Sequence, residues 1–153
     1  MSVCVDPAGA DPFWCRDAAR LELAMRHAYH AADATPITAD ALGQIPPDAL
    51  MTTHLTLAPA VTVISSDYPI HGIYVANTVA DAPAATMRPE TVVITRPAFD
   101  PIQHLISPET AAFIKALSDG QTMGDATNHA GKGLDLGATL GLLLGQNAIT
   151  SLT

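Results

Sequence analysis

Apolar residues in the stretch 17–33 (DAARLELAMRHAYHAAD) recur at helical spacing. Leu21, Met25, Ala28 and Ala32 share one face, while Arg16, Arg20, Arg26 and Asp33 lie largely off it. The spacing predicts an amphipathic helix from Asp17 to Asp33. A shorter helical turn follows at Thr38 to Gln44, with Thr38 as its N-cap. Pro46-Pro47 stops that turn and opens another through Leu50. The period then shortens. His54 to Leu57 and Val61 to Ile64 are β-rich runs separated by Ala58-Pro59-Ala60, which reads as a hairpin or as adjacent antiparallel strands. Pro69 suits the first position of a short helix ending near Asn77. Thr78 to Pro89, rich in Ala, Asp, Thr and Pro, has no periodicity and is expected to be a loop.

The last third of the chain has the clearest pattern. Thr91 to Thr95 (TVVIT) and Ile102 to Ile106 read as strands joined by a turn from Pro97 to Pro101. Ser107-Pro108-Glu109 starts a helix with a capping hydroxyl and Pro at the first helical position. It should bury Ala112, Phe113, Ala116 and Leu117 and end at Gly120. Thr122-Met123-Gly124-Asp125 resembles a capping box for a second helix, and Asp135 caps a third, Leu136 to Gln146. Ala148 to Leu152 can return as a strand. Together these elements predict an α+β protein. Residues 1–16 form a flexible lead-in, 17–50 a helical segment, and 51–153 an α+β, winged-helix-like unit.

Composition narrows the function classes. At 153 residues the chain suits one domain with a real core. No apolar run is long enough to span a bilayer, and Met1 to Gly9 lacks the basic-then-apolar order of a secretory signal. Cys4 and Cys15 fit no zinc or redox spacing, and a reduced pair is expected. These features predict a cytoplasmic protein. Seven Lys and Arg stand against fifteen Asp and Glu, a formal net charge of -8. Nucleic-acid binding draws on a basic face that neutralises phosphates, and no basic patch is visible, which argues against direct DNA contact.

Several of these segments occur in a recognisable order. Arg20-Leu21-Glu22 and Ala28-Tyr29-His30-Ala31-Ala32-Asp33 are followed by Ile45-Pro46-Pro47-Asp48-Ala49-Leu50, then apolar strands, then Tyr68-Pro69-Ile70 leading to Ala76-Asn77. This order resembles the HvfC/BufC family over about Pro12 to Thr153. The family has been filed as DNA-binding or transcription-associated, and is also understood as supplying partner subunits of multinuclear non-haem iron enzymes that modify ribosomally made peptides. The resemblance implies a helical domain that usually precedes this point, and the chain is expected to lack it. The resemblance implies a non-catalytic accessory subunit, without a cofactor of its own, that binds a precursor peptide and docks on the iron-dependent enzyme. It also leaves open a transcription-associated role or a truncated relative with reduced function. Trp14, Arg20, Glu22, Tyr29 and His30 become the candidate partner interface. With its usual neighbour missing, the apolar face of the first helix is expected to drive self-association.

The candidate peptide site comes from the strand–strand–three-helix order after Thr91. Peptide-recognition elements of this kind take a leader segment as an added strand on a sheet edge beside a helix. Thr91 to Arg96 is the expected edge and Leu136 to Gln146 the expected helix, which nominates Val92, Ile94, Arg96, Leu140, Gly141 and Leu144. Arg96 and Arg88 could meet acidic leader residues. Gly137, Gly141 and Gly145 repeat every four residues. Glycine in a helix costs about 0.8–1 kcal/mol relative to Ala, so either a neighbouring strand or a bound peptide is expected to approach that stripe. The third helix carries no basic residue and only Gln146 as an amide, a poor set for reading base edges. His27 and His30 lie three apart on one helix, but no third metal ligand follows at a recognisable spacing. No phosphate-binding glycine loop is present, and Ser65-Ser66-Asp67 with His71 has only generic spacing. Catalytic and metal-binding residues are therefore not expected.

Overall fold

The computed structural model describes residues 13–153. Helices α1 (Phe13–His30), α2 (Ala39–Gly43) and α3 (Pro47–Leu50) precede strands β1 (Leu55–Leu57) and β2 (Thr62–Ser66). Then come α4 (Ile70–Thr78), β3 (Glu90–Thr95), β4 (Ile102–Leu105), α5 (Pro108–Ser118), α6 (Met123–Ala130), α7 (Leu136–Gly145) and β5 (Ile149–Leu152). The fold is α+β, and all strand pairing is antiparallel.

Local chemistry accounts for most of the element boundaries. The hydroxyls of Ser107 and Thr122 accept the main-chain N–H groups of Thr110 and Asp125, each at 3.1 Å. The Asp135 carboxylate accepts from Ala138 at 2.9 Å, and Thr38 caps α2. Each cap satisfies one of the N–H groups that a helix start leaves without a partner. Asp125 departs from a capping box, since it accepts from the Thr122 hydroxyl rather than from the Thr122 main chain. Gly120, in the left-handed region at φ 83°, ends α5. Pro69 is the N-cap of α4, one position earlier than expected.

The pairing of strands departs from the local reading. β1 and β2 are not a hairpin. β1 pairs with β5, whereas β2, β3 and β4 form a separate sheet in that order. The Ala58-Pro59-Ala60 linker carries the chain between the sheets, with Ala58 N–H donating to the Ala148 carbonyl at 2.8 Å. Both β-rich runs find their partners far along the chain, and adjacency in sequence does not encode that choice.

The three-stranded sheet separates two cores. On one face Val92 and Ile94 meet Ile64, Ile70, Leu21 and Ala28 beneath α1 and α4. On the other, Val93 joins Phe113, Ile114, Leu117, Met123, Leu143, Leu55 and Ile149. Within α5 the buried residues are Ala111, Phe113, Ile114, Ala116 and Leu117, with Ala112 only half-buried. Helix α1 begins at Phe13, four residues before the expected start, and ends at His30. Its apolar face lies on the sheet, with Leu21 1% and Ala28 2% exposed. The expectation of self-association through that face thus loses its physical basis: the molecule covers the face itself.

Two glycines give this packing a direct test. A Cβ at Gly124 would stand 2.8 Å from the Met51 carbonyl oxygen, whereas a Cβ at Gly141 would meet nothing within 4 Å. Urea unfolding should therefore show Gly124→Ala to be destabilised by about 1–3 kcal/mol through overpacking against backbone. Gly141→Ala should be stabilised by up to about 1 kcal/mol through helix propensity alone.

Candidate functional site

The expected peptide edge at Thr91 to Arg96 is corrected by the sheet order. β3 is the central strand, bonded to β2 on one side and β4 on the other, and Val92 and Ile94 are fully buried. An unbroken apolar run such as TVVIT is what a strand covered on both faces requires, and it leaves no free edge. The remaining candidates do not converge on Val92 and Ile94. Leu140 and Leu144 are half-buried against the core on the opposite side of the sheet. Gly141 faces open space, and no strand packs on the stripe formed with Gly137 and Gly145.

Arg96 is also committed elsewhere. Its side chain is 9% exposed and donates to the carbonyls of Tyr29 (2.7 Å) and Ala32 (3.4 Å) and to the Asp33 carboxylate (2.8 Å). It thereby satisfies carbonyls at the negative end of α1, where a cation is favoured. Arg88 pairs with Glu90 at 3.4 Å. Arg96 is thus committed within the fold, whereas Arg88 keeps its side chain 62% exposed.

The free edge of the sheet lies one strand further on, at β4. Ile106 N–H donates to the Thr91 carbonyl at 2.9 Å, in register with the pairing of Val93 to His104. The antiparallel ladder alternates, so Ile102, His104 and Ile106 turn their main-chain groups toward β3 while Gln103 and Leu105 turn theirs outward. Among the described residues no strand pairs with that outer side. Exposed edges are usually protected by charge, proline or a bulge. β4 reads Ile-Gln-His-Leu, has no register shift, and leaves Ile102 42% and Leu105 45% exposed on opposite faces. The other edge, β2, exposes only Thr62 and Ser65.

The side chains of β4 are fixed from within. His71 Nδ1 and Gln103 Oε1 lie 2.8 Å apart, which anchors β4 to the start of α4. Glu90, buried at 7% exposure, accepts the main-chain N–H groups of His71 and Gly72 at 2.9 and 3.1 Å. It serves as the cap that Pro69 cannot provide. Gln103 Nε2 and His104 Nε2 are buried without a hydrogen-bond partner. Edge strands often fray, but these contacts hold the backbone of β4 in place.

The proposed partner-interface residues lie along α1. Trp14 is half-buried, Glu22 and His30 are exposed, and Arg20 pairs with Asp17 at 3.0 Å. Tyr29 is 53% exposed and meets the His30 ring edge-on at 5.2 Å. Leu23, 51% exposed, adds an apolar side chain to this outer surface. Cys15 is a free thiol, and Cys4 lies outside the described residues. No group of three or more metal-capable side chains occurs among the described residues, and none of their helices is long and apolar enough to cross a membrane. A cleft of about 230 Å³ lies between the end of α1 and the turns after β3 and α7. Its polar side chains are already engaged: Arg96 with Asp33, and Asn147 donating to the Pro97 carbonyl.

No protein-family model, curated protein or solved structure matches this chain.

At the far end of α1 the Ser66 hydroxyl donates to the Asp17 carboxylate. That hydrogen bond, aided by Arg20 and Arg16 and opposed by desolvation, holds the Asp17 pKa below its ordinary value. A depressed carboxylate pKa stabilises the fold above the unfolded pKa of about 4, and the contribution is lost as pH falls through the lower folded value. Wild type should therefore be more stable than Asp17→Asn at neutral pH. In denaturant titrations the gap between the two should narrow below about pH 4.

Proposed function

We propose that this chain binds an extended peptide as a fourth strand on β4 and contributes no catalytic group of its own. The supporting observation is the unpaired, uncharged edge of β4 with Ile102 and Leu105 exposed on either side of it. Strand addition would use the outward main-chain groups of Gln103 and Leu105 for affinity and the two flanking apolar side chains for register. The three-stranded sheet followed by α5, α6 and α7 is consistent with a winged-helix-like peptide-recognition element.

The resemblance of the α1 signature to HvfC/BufC proteins supplies the biological setting. In that setting the peptide is the precursor of a modified product, and the partner is an iron-dependent enzyme docked on the exposed face of α1 near Glu22, Tyr29 and His30. The net charge of -8 and the absence of any Lys or Arg in α7 weigh against a transcriptional role through DNA contact.

The test is a selection of random peptides displayed on phage against the immobilised chain, followed by measurement of the selected peptides on variants. Gln103→Pro removes one outward N–H and no β3 ladder bond, because Pro is tolerated where its nitrogen faces away from the sheet, and Gln103→Ala, which loses only the side-chain contact with His71, is its control. Loss of one main-chain hydrogen bond, about 1 kcal/mol, plus the steric block at the edge should weaken binding roughly tenfold or more. Peptides that bind this variant as well as wild type would place the site elsewhere.

A further inference from the structure

The main-chain ladder that β4 can offer is short. Gln103 and Leu105 each present an N–H and a carbonyl outward, and the ladder stops on either side of them. Pro101 has no N–H to donate, and the Ser107 carbonyl already accepts the Ala111 N–H at 3.0 Å. Main-chain bonds are the same for every sequence, so the side chains along the edge decide which peptide is taken. The two middle side chains of β4 offer little. Gln103 and His104 are half-buried, their Nε2 atoms are shielded from solvent, and Gln103 is held by His71. The outer two, Ile102 and Leu105, are the exposed ones. Their partners in β3 fix the face on which each lies. Ile102 is opposite Thr95, on the side of the larger core with Val93, and Leu105 is opposite Val92, on the side covered by α1 and α4.

Resting on the reading of β4 as a peptide edge, we infer that the peptide it takes carries two apolar residues three positions apart, one for each face of the sheet. The two residues between them contribute main chain only. Residues directly opposite in neighbouring strands share a face and bring their Cβ atoms to about 4.5–5.5 Å. The residue opposite Ile102 and the residue opposite Leu105 are therefore three apart in the peptide, whichever way it runs. An odd spacing sends them to opposite faces, as the period of two in a strand requires. A regularly alternating peptide cannot meet both. Its apolar residues share one face, where the next position beyond Ile102 is the half-buried His104 and the next beyond Leu105 is the half-buried Gln103. The spacing thus separates this peptide from an ordinary amphipathic strand, whose apolar residues all turn to one side.

The experiment uses two end-capped peptides of one composition. Ser-Thr-Ile-Thr-Thr-Ile-Thr-Ser has its apolar residues three apart, and Ser-Thr-Ile-Thr-Ile-Thr-Thr-Ser has them two apart. Each is titrated into the isotope-labelled full chain, and binding is followed by NMR at the main-chain amides of Gln103 and Leu105. The first peptide should bind about fivefold tighter, the worth of one good cross-strand apolar pair. Ile102→Thr and Leu105→Thr, both at exposed positions, should each bring the two peptides to equal affinity. Equal affinity on the unmodified chain, with binding lost in Gln103→Pro and kept in Gln103→Ala, would overturn the spacing inference and leave the edge reading standing. A preference that survives both threonine variants would overturn it as well. Failure of both peptides to shift the two amides at millimolar concentration would overturn both readings. A concentration-dependent dimer in light scattering that Gln103→Pro abolishes would do the same, because the occupant of the edge would then be a second copy.

Discussion

The structure depends on one strand that is buried on both faces and both edges. Residues from Glu90 to Arg96 reach several parts of the molecule. Glu90 caps α4, Val92 and Ile94 support α1 and α4, and Val93 enters the core beneath α5 and α6. Thr95 donates to the Gln146 side chain at the end of α7, and Arg96 holds the end of α1. Full burial of a Val or Ile side chain stabilises by about 1.5–3 kcal/mol, so the three central apolar residues carry a sizeable part of a typical domain's net stability. A polar substitution at Val93 would disturb the larger core, whereas one at Val92 or Ile94 would release α1. The two cores meet across the sheet, through this strand and through β2, where Val63 packs on one core and Ile64 lies in the other.

Polar contacts between α1 and the sheet work with that burial rather than in place of it. A helix lying on a sheet can slide along its own axis with little loss of apolar contact, because side chains of similar size replace one another. Specific hydrogen bonds at its two ends prevent this. Ser66 holds Asp17 near the start of α1, and Arg96 holds Tyr29, Ala32 and Asp33 at its end. Both anchors come from the sheet, Ser66 at one end of β2 and Arg96 just past the end of β3. Their separation along α1 fixes its register against Val92 and Ile94. Ser66 is itself buried and also accepts the Tyr68 main-chain N–H, so the anchor is built into the turn that leads to α4.

What could be read from the sequence divides along the same line. Caps and periodicity act over three or four residues, and so Thr38, Ser107, Thr122 and Asp135 were identifiable with the helices they start. Strand partners are chosen over tens of residues. The pairing of β1 with β5 and of β2 with β3 was therefore not legible from two adjacent β-rich runs. The candidate site suffered from the same gap. TVVIT has the strongest β signal, yet its unbroken hydrophobicity is the mark of a central strand and not of an edge. The weaker and uncharged run Ile-Gln-His-Leu is the edge. Nothing local shows that Arg96 and Glu90 close helices distant in sequence.

The same physical contrast explains why the edge of β4 is a candidate site while the glycine stripe of α7 is not. A helix has already satisfied its own main chain, and a smooth stripe offers a partner only contact area. A strand edge offers unmet hydrogen bonds, and in β4 those of Gln103 and Leu105 are held at fixed spacing by His71 on one side and by β3 on the other. Rigidity at an edge has two consequences. It lowers the entropy lost when a peptide pairs, which raises affinity for a given set of contacts. It also makes the edge a hazard, because any extended apolar segment could pair with it.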